Sequence, residues 1–247
     1  MIELPQPRFV LVETSHPGNI GAVARAMKTM CFSDLVLVKP QRYPSAEATA
    51  RAAGADDVLA RARVESSLED ALSGCTWVLG TSARPRSLNW PVFEPRAAAA
   101  QATVELARGT VALVFGRERN GLSNDELGLC HAMLNIPTNP DYSSLNLAAA
   151  VQLIAYELQL CLRGDSTRGT VNQDDILAGN DEMEGLFRHL EITLIQIGFL
   201  DPANPRQLMA KLRRLYNRAR PTRSEVTILR GALTETCRRI GHKHASG

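Results

Sequence analysis

The stretch Leu113-Val-Phe-Gly-Arg-Glu-Arg-Asn-Gly-Leu-Ser123 begins as a buried strand and then breaks into glycine and charge. A second stretch, Ile136-Pro-Thr-Asn-Pro-Asp-Tyr-Ser-Ser-Leu-Asn-Leu147, breaks in the same way into Pro, Asn and Ser. Both leave polar backbone where a strand ends, and in an α/β sheet the carboxyl ends of strands are where ligands sit. A third segment, Asn19-Ile-Gly-Ala-Val-Ala-Arg25, opens a helix straight after a strand and carries one Arg among small and apolar residues. Three such segments in one domain predict a cofactor site beside a catalytic group.

Working outward, Phe9 to Val12, Leu35 to Val38, Trp77 to Gly80, Val111 to Phe115 and Ala132 to Ile136 read as buried strands. Helical patterns cover Ile20 to Met30, Ser45 to Ala53, Leu68 to Leu72, Ala97 to Ala107 and Leu145 to Leu162, and Ser123 is placed to cap another. The last long helix is apolar on most faces and reads as buried. Strands alternating with helices predict an α/β fold, a mostly parallel sheet covered by helices on both faces. The apolar signal then disappears around Arg163 to Thr170. Beyond it lie three amphipathic helices, Asp181 to Ile197, Pro205 to Ala219 and Ser224 to Ile240, with no strand between them. The expected division is a catalytic α/β domain over 1–163, a linker over 164–175 and a small all-α domain over 176–247.

The 247 residues are 45% hydrophobic and 22% charged, the balance of a globular domain. No apolar run approaches the roughly 20 residues that span a bilayer, and the N-terminus lacks a signal-peptide pattern. Five scattered cysteines without a C-x-x-C pair read as free thiols in a reducing cytoplasm rather than as a zinc site. The net charge of +2 hides an asymmetry: 17 Lys and Arg against 23 Asp and Glu over residues 1–200, but 11 against 3 over 201–247. A basic tail on an acidic body predicts a polyanionic partner.

Dinucleotide-binding G-x-G-x-x-G, the P-loop, the G-x-S-x-G nucleophile elbow and H-E-x-x-H are all absent. No metal is expected. What remains is strand-end backbone around Thr81-Ser-Ala83, Gly116, Ile136 and Ser143-Ser-Leu145, groups that bond the edge of an adenine and a ribose while apolar side chains hold the ring. Arg84 and Arg86 lie on the same candidate loops, and Tyr142 is placed to pack on Pro140 or to stay free for a ligand.

Asn19-x-Gly21-x-x-x-Arg25, Phe115-Gly-x-Glu118-x-x-Gly121-Leu122 and Ile136-Pro with Ser143-Ser-Leu-Asn146 resemble, in order and separation, the three motifs of the SpoU/TrmH-type SPOUT RNA methyltransferases. The likeness covers nearly the whole chain. The surrounding Val12-Glu-Thr-Ser-His-Pro-Gly-Asn-Ile-Gly21, Gly80-Thr-Ser-Ala-Arg84 and the basic tail Lys211-Leu-Arg-Arg-Leu-Tyr-Asn-Arg-Ala-Arg-Pro221 resemble the bacterial tRNA-modifying members of that class. The resemblance implies a trefoil knot at the C-terminal end of the sheet. It implies transfer of a methyl group from S-adenosyl-L-methionine to a tRNA ribose 2′-OH, at the cytidine or uridine of position 32 that opens the anticodon loop. It also implies a homodimer whose active site draws on both subunits. By position, it assigns cofactor contacts to Thr81, Ser82, Ala83, Gly116, Ile136, Ser143, Ser144 and Leu145. The catalytic group becomes Arg25 with Asn19, Glu118, Ser144 and Asn146, and the RNA contacts Arg84, Arg86, Tyr142, Lys211, Arg213, Arg214 and Arg218. An rRNA ribose methyltransferase and a non-catalytic RNA-binding protein of the same fold are the alternatives.

Overall fold

The structure is a computed structural model and describes residues 6–82, 90–164, 176–203 and 207–244. The chain divides into two compact units, Met1–Thr170 and Val171–Gly247. The expected linker positions 165–175, the residues Ala83, Arg84 and Arg86, and Pro205 lie outside the described residues.

The first unit holds seven strands and seven helices among its described residues: β1 Arg8–Val12, α1 Pro17–Thr29, β2 Leu35–Val38, α2 Ala46–Ala52, α3 Asp56–Arg61, β3 Arg63–Glu65, α4 Leu68–Ala71, β4 Cys75–Thr81, β5 Val92–Phe93, α5 Pro95–Leu106, β6 Thr110–Phe115, α6 Asn124–Gly128, β7 Ala132–Leu134 and α7 Leu147–Gly164. The strands form one sheet in the order β3-β2-β1-β6-β4-β7-β5, and every pairing is parallel.

Strand alternation sorts the core into two layers. Phe9, Leu11, Leu35, Leu37, Trp77, Leu79, Leu113 and Phe115 face one side, packed with residues of α1, α2, α3, α5 and α7. Val10, Val12, Val36, Val38, Val78, Ala112 and Val114 face the other, under Leu68 and Leu72 beside α4 and Leu127 of α6. Long side chains thus meet five helices, while valines and Ala112 meet two short helices. A strand buried on both faces has no polar residues to mark its alternation, so its apolar run is continuous.

Several elements depart from the sequence reading. β3 has three residues, two of them exposed, and β5 has only two. Edge strands this short carry no apolar run to betray them. α3, at six residues, lies below the length at which helical periodicity shows. β7 stops at Leu134, so Ile136 belongs to the loop that follows it. α1 starts at Pro17, whose missing N–H costs nothing at the first helical position. α7 is buried along one face, with Leu147, Val151, Ile154, Ala155, Leu158 and Leu162 in the core, while Leu153, Tyr156 and Leu160 on another face are 42%, 48% and 42% exposed.

The second unit contains α8 Asn180–Gln196, α9 Leu208–Ala219 and α10 Arg223–His244. Its core is Ala178, Met183, Leu186, Phe187 and Val226, with Tyr216, Leu229 and Leu233 packed against it. Pro221 falls between α9 and α10, where it cannot continue a helix.

Candidate active site

β6 ends at Phe115, and the chain turns at once. Arg117 and Gly121 bond reciprocally through their backbones, N–H to O at 3.3 and 2.9 Å, closing a turn with Glu118, Arg119 and Asn120 at its tip. Gly116 makes the turn possible. A Cβ there would lie 2.2 Å from the carbonyl carbon of Gly121 and 2.4 Å from the nitrogen of Leu122. The close approach of two backbone segments leaves no room for a side chain.

Both flanks of the turn are tied down. The Arg117 guanidinium bonds both oxygens of Glu13 at 2.7 and 2.8 Å and both oxygens of Glu126 at 2.9 Å each. Glu126 also closes the capping box of α6 with Ser123. The hydrogen bond from Arg117 holds the Glu13 carboxyl below its ordinary range despite burial, and the same two carboxylates raise Arg117 further. On the other flank the Glu118 carboxylate accepts from Ser15 N, Ser15 Oγ, His16 N and Asn19 Nδ2 at 3.0–3.3 Å. Burial is the largest influence on this carboxyl and opposes ionisation. The hydrogen bonds of Asn19 and of the Ser15 and His16 backbone outweigh it and hold the group below its usual value. His16, the residue before α1, offers no side-chain cap, so a carboxylate from the β6 turn supplies the acceptor at that helix end. Asn19 is the hinge of a longer chain of bonds: Asn146 Nδ2 donates to Asn19 Oδ1 at 3.1 Å. Glu118, Asn19 and Asn146 therefore connect the three segments singled out in the sequence.

Beside this network lies a pocket. Its walls include Thr81 and Ser82 at the end of β4, Gly116 to Gly121, Leu134 at the end of β7 and Ile136 beyond it, Ser143 to Leu145, and Leu147 and Ala150 of α7. The β4 and β7 ends are stitched together by Ser82 N to Leu134 O and Asn135 Nδ2 to Ser82 O, each 3.0 Å. Seven of the eight expected cofactor positions line this pocket: Thr81, Ser82, Gly116, Ile136, Ser143, Ser144 and Leu145. Glu118 lines it too. Tyr142 stands 80% exposed outside the lining, so packing on Pro140 does not bury it.

Arg25 is not in the pocket wall. It sits on the exposed face of α1, nearly two turns beyond Asn19, with no side-chain partner among the described residues. Gly21, one turn before it, has a packing reason of its own. A Cβ there would meet the carbonyl oxygen of Ala48 at 2.0 Å, so the glycine sets how closely α1 lies on α2. Sequence reasoning missed the Ser15 and Glu13 partners, because nothing in their spacing points to charges over 100 positions away, and it missed Glu126, nine positions from Arg117, because that residue reads only as part of a helix start.

In the second unit the basic residues of α9 divide. Arg213 bonds Glu184 through both terminal nitrogens and lies 4.5 Å from the centre of the Phe187 ring, so it is bound within the unit. Lys211, Arg214 and Arg218 follow an i, i+3, i+7 spacing along a different face and pair with nothing among the described residues. No group of three or more His, Cys, Asp or Glu among the described residues is placed to hold a metal. No helix among them is long and apolar enough to cross a membrane.

A strand-end pocket fixed by three cross-linked loops, followed by a separate helical unit, is the organisation of one class of RNA methylases. A family model described as the SpoU rRNA methylase family matches residues 6–156, and one described as the tRNA methyltransferase TrmJ C-terminal domain matches residues 181–245. The chain belongs to the SpoU methylase family, and within it to the TrmJ group. It is 52% identical over 242 residues to a Pseudomonas aeruginosa protein named tRNA (cytidine/uridine/adenosine-2'-O-)-methyltransferase TrmJ, covering 94% of each. It is 52% identical over 228 residues to the tRNA (cytidine/uridine-2'-O-)-methyltransferase TrmJ of Pectobacterium atrosepticum, covering 92% of this chain and 95% of that one. The crystal structure of TrmJ from Z. mobilis matches with a TM-score of 0.81 at 36% identity, over 93% of this chain and 98% of the other.

Proposed function

We propose that this protein transfers a methyl group from S-adenosyl-L-methionine to the ribose 2′-OH of a tRNA nucleotide, a cytidine or uridine at position 32. The observation that carries this reading is the pocket itself, in which Phe115, Leu134, Ile136 and Leu145 offer apolar contact beside the hydroxyls of Thr81, Ser82, Ser143 and Ser144. That mixture suits a purine ring, a ribose and an amino-acid tail. Gly116 and Gly121 both line the pocket, and the missing side chain of Gly116 lets the two backbone segments meet there. Thr81, Ser82, Ala83, Gly116, Ile136, Ser143, Ser144 and Leu145 would hold the cofactor, which supplies an electrophilic methyl group on sulfonium. The C-terminal knot implied by the family resemblance belongs to this same reading, as does action in the cytoplasm.

The chain's own residues have two tasks: to align the ribose oxygen and to favour its developing negative charge. A guanidinium whose pKa exceeds about 12 is a poor proton acceptor, so Arg25 orients the ribose and its phosphate and stabilises the forming oxyanion. Glu118, Asn19 and Asn146 position the start of α1, the helix that bears Arg25. Because Arg25 is exposed and stands outside the pocket of its own chain, it serves the pocket of a partner subunit in a homodimer. The exposed stripe Leu153, Tyr156 and Leu160 on α7 supports such a pairing, since α7 packs beside α1. In the second unit, Lys211, Arg214 and Arg218 meet the tRNA backbone.

Methyl transfer from labelled cofactor to unmodified bulk tRNA, with nuclease mapping, tests the activity. Label at nucleotide 32, lost in Arg25→Ala, is the expected result, and transfer to rRNA alone refutes the substrate. Mixing Arg25→Ala with Gly116→Val chains tests the shared site. Two inactive homodimers should regain activity on subunit exchange, since one mixed site then has an intact pocket and an intact Arg25. No regain places Arg25 in its own subunit's site.

A further inference from the structure

Among the described residues, three charged side chains line the pocket: Arg117, Glu118 and Arg119. Two are already engaged. Arg117 is held by Glu13 and Glu126, and Glu118 by Ser15, His16 and Asn19. Arg119 is exposed at the tip of the turn and bonds to nothing among the described residues. Its backbone, by contrast, is fixed. The reciprocal bonds of Arg117 and Gly121 close the turn around it, and both preceding side chains anchor that turn to the loop after β1. A guanidinium without a partner among the described residues, on a pre-set backbone at the edge of a pocket, can take a ligand at the cost of its own rotamer freedom alone, with no ordering of the turn. Its planar fork matches the paired oxygens of a phosphodiester.

We propose that Arg119 takes a backbone phosphate of the substrate RNA at the mouth of the cofactor pocket. It is thus a positioning residue for the RNA. This rests on the function proposed above and goes beyond it by naming the group that couples the β6 turn to the RNA. The anionic oxygens could also come from the cofactor's carboxylate. The exposure of Arg119 at the tip of the turn favours the larger, outer ligand.

The test compares Arg119→Gln and Arg119→Lys with wild type. Cofactor affinity is read by calorimetry, steady-state KM by varying tRNA at saturating cofactor, and tRNA affinity by fluorescence anisotropy across a salt series. The Arg119 side chain is exposed and makes no hydrogen bond or ion pair among the described residues, so both variants should melt with wild type. Arg119→Gln should raise the tRNA KM about tenfold, the scale of one lost charge-assisted bond, and change kcat and cofactor Kd less than about threefold. The plot of log affinity against log salt should flatten by about 0.7–0.9, one phosphate contact. Arg119→Lys should recover the salt slope and only part of the KM. Unchanged tRNA KM and salt slope overturn the proposal. A weakened cofactor Kd with unchanged tRNA binding overturns it in favour of the cofactor's carboxylate. The anisotropy comparison needs no turnover, so a wild-type enzyme inactive on tRNA would sink the functional reading while equal or unequal slopes still decide the role of Arg119.

Discussion

Replacing Glu118 with Gln isolates what the ionised carboxylate does. The side chain keeps its shape, but one oxygen becomes an amide nitrogen. Four donors converge on the carboxylate, from Ser15 N, Ser15 Oγ, His16 N and Asn19 Nδ2. With the amide nitrogen at the Oε1 position, His16 N and Asn19 Nδ2 lose their acceptor; at the Oε2 position, Ser15 N keeps its 3.2 Å bond to Oε1 but faces the amide as a second donor where it had an acceptor at 3.1 Å. Hydrogen bonds to a charged group are each worth about 1.5–3 kcal/mol when secluded. Glu118 is only part-buried, and solvent screening reduces the sum to about 1–2 kcal/mol. The depressed carboxyl pKa sets the pH dependence. A group whose folded pKa is lowered adds stability above its unfolded pKa of about 4.3, and that stability is lost as pH falls through the folded value. Protonated Glu118 is neutral, as Gln is, so the difference between wild type and variant should be full at pH 7 and shrink below about pH 4. Trp77 and Trp90, the chain's two tryptophans, are both buried in the first unit, so their fluorescence during urea unfolding reports that unit. A difference that stays the same from pH 7 to pH 3.5 would refute the argument.

Gly116→Ala should weaken cofactor binding at least tenfold by calorimetry and destabilise the first unit by about 1–3 kcal/mol, because its Cβ would collide with backbone that a bonded turn holds in place. Gly21→Ala should cost a similar amount in the same urea assay yet leave cofactor affinity within about twofold, since its clash is with Ala48 of α2. Arg213→Ala should lower the melting temperature of the full chain, losing a bidentate pair and a ring contact worth about 1–2 kcal/mol, without altering the salt dependence of tRNA binding. Neutralising Lys211, Arg214 and Arg218 together should do the reverse, flattening the salt slope by about 2–3 and leaving stability alone.

The central strands and their faces were legible because a parallel sheet buries both sides and leaves unbroken apolar runs at Phe9–Val12, Leu35–Val38 and Val111–Phe115. The edges were not, since Arg63–Glu65 and Val92–Phe93 are held by pairing rather than by composition. The pocket walls could be read from the abrupt loss of apolar character at Gly116 and after Leu134. What ties those walls together could not. The bonds from Arg117 to Glu13 and from Glu118 to Ser15 join residues more than 100 positions apart, and only the strand order places β1 beside β6. Arg213 shows the same limit on a smaller scale. Its sequence neighbours Lys211 and Arg214 share its charge, and only the position of Phe187 and Glu184 separates it from them.

The strand order also governs how the chain must be made. Phe9 pairs with Leu35 on one side and with Leu113 on the other, and β4 pairs with β6 and β7, both of which follow it. A ribosome adding 5–20 residues per second needs on the order of 5–20 s to move from β1 to β6. Throughout that interval the emerging sheet lacks its middle strand. β1 presents one open edge and β4 two, the arrangement from which nascent chains aggregate or recruit holdases. Slow codons between Thr81 and Thr110 would prolong this exposure, whereas a pause after Leu134 would fall once every neighbour of β4 has been synthesised.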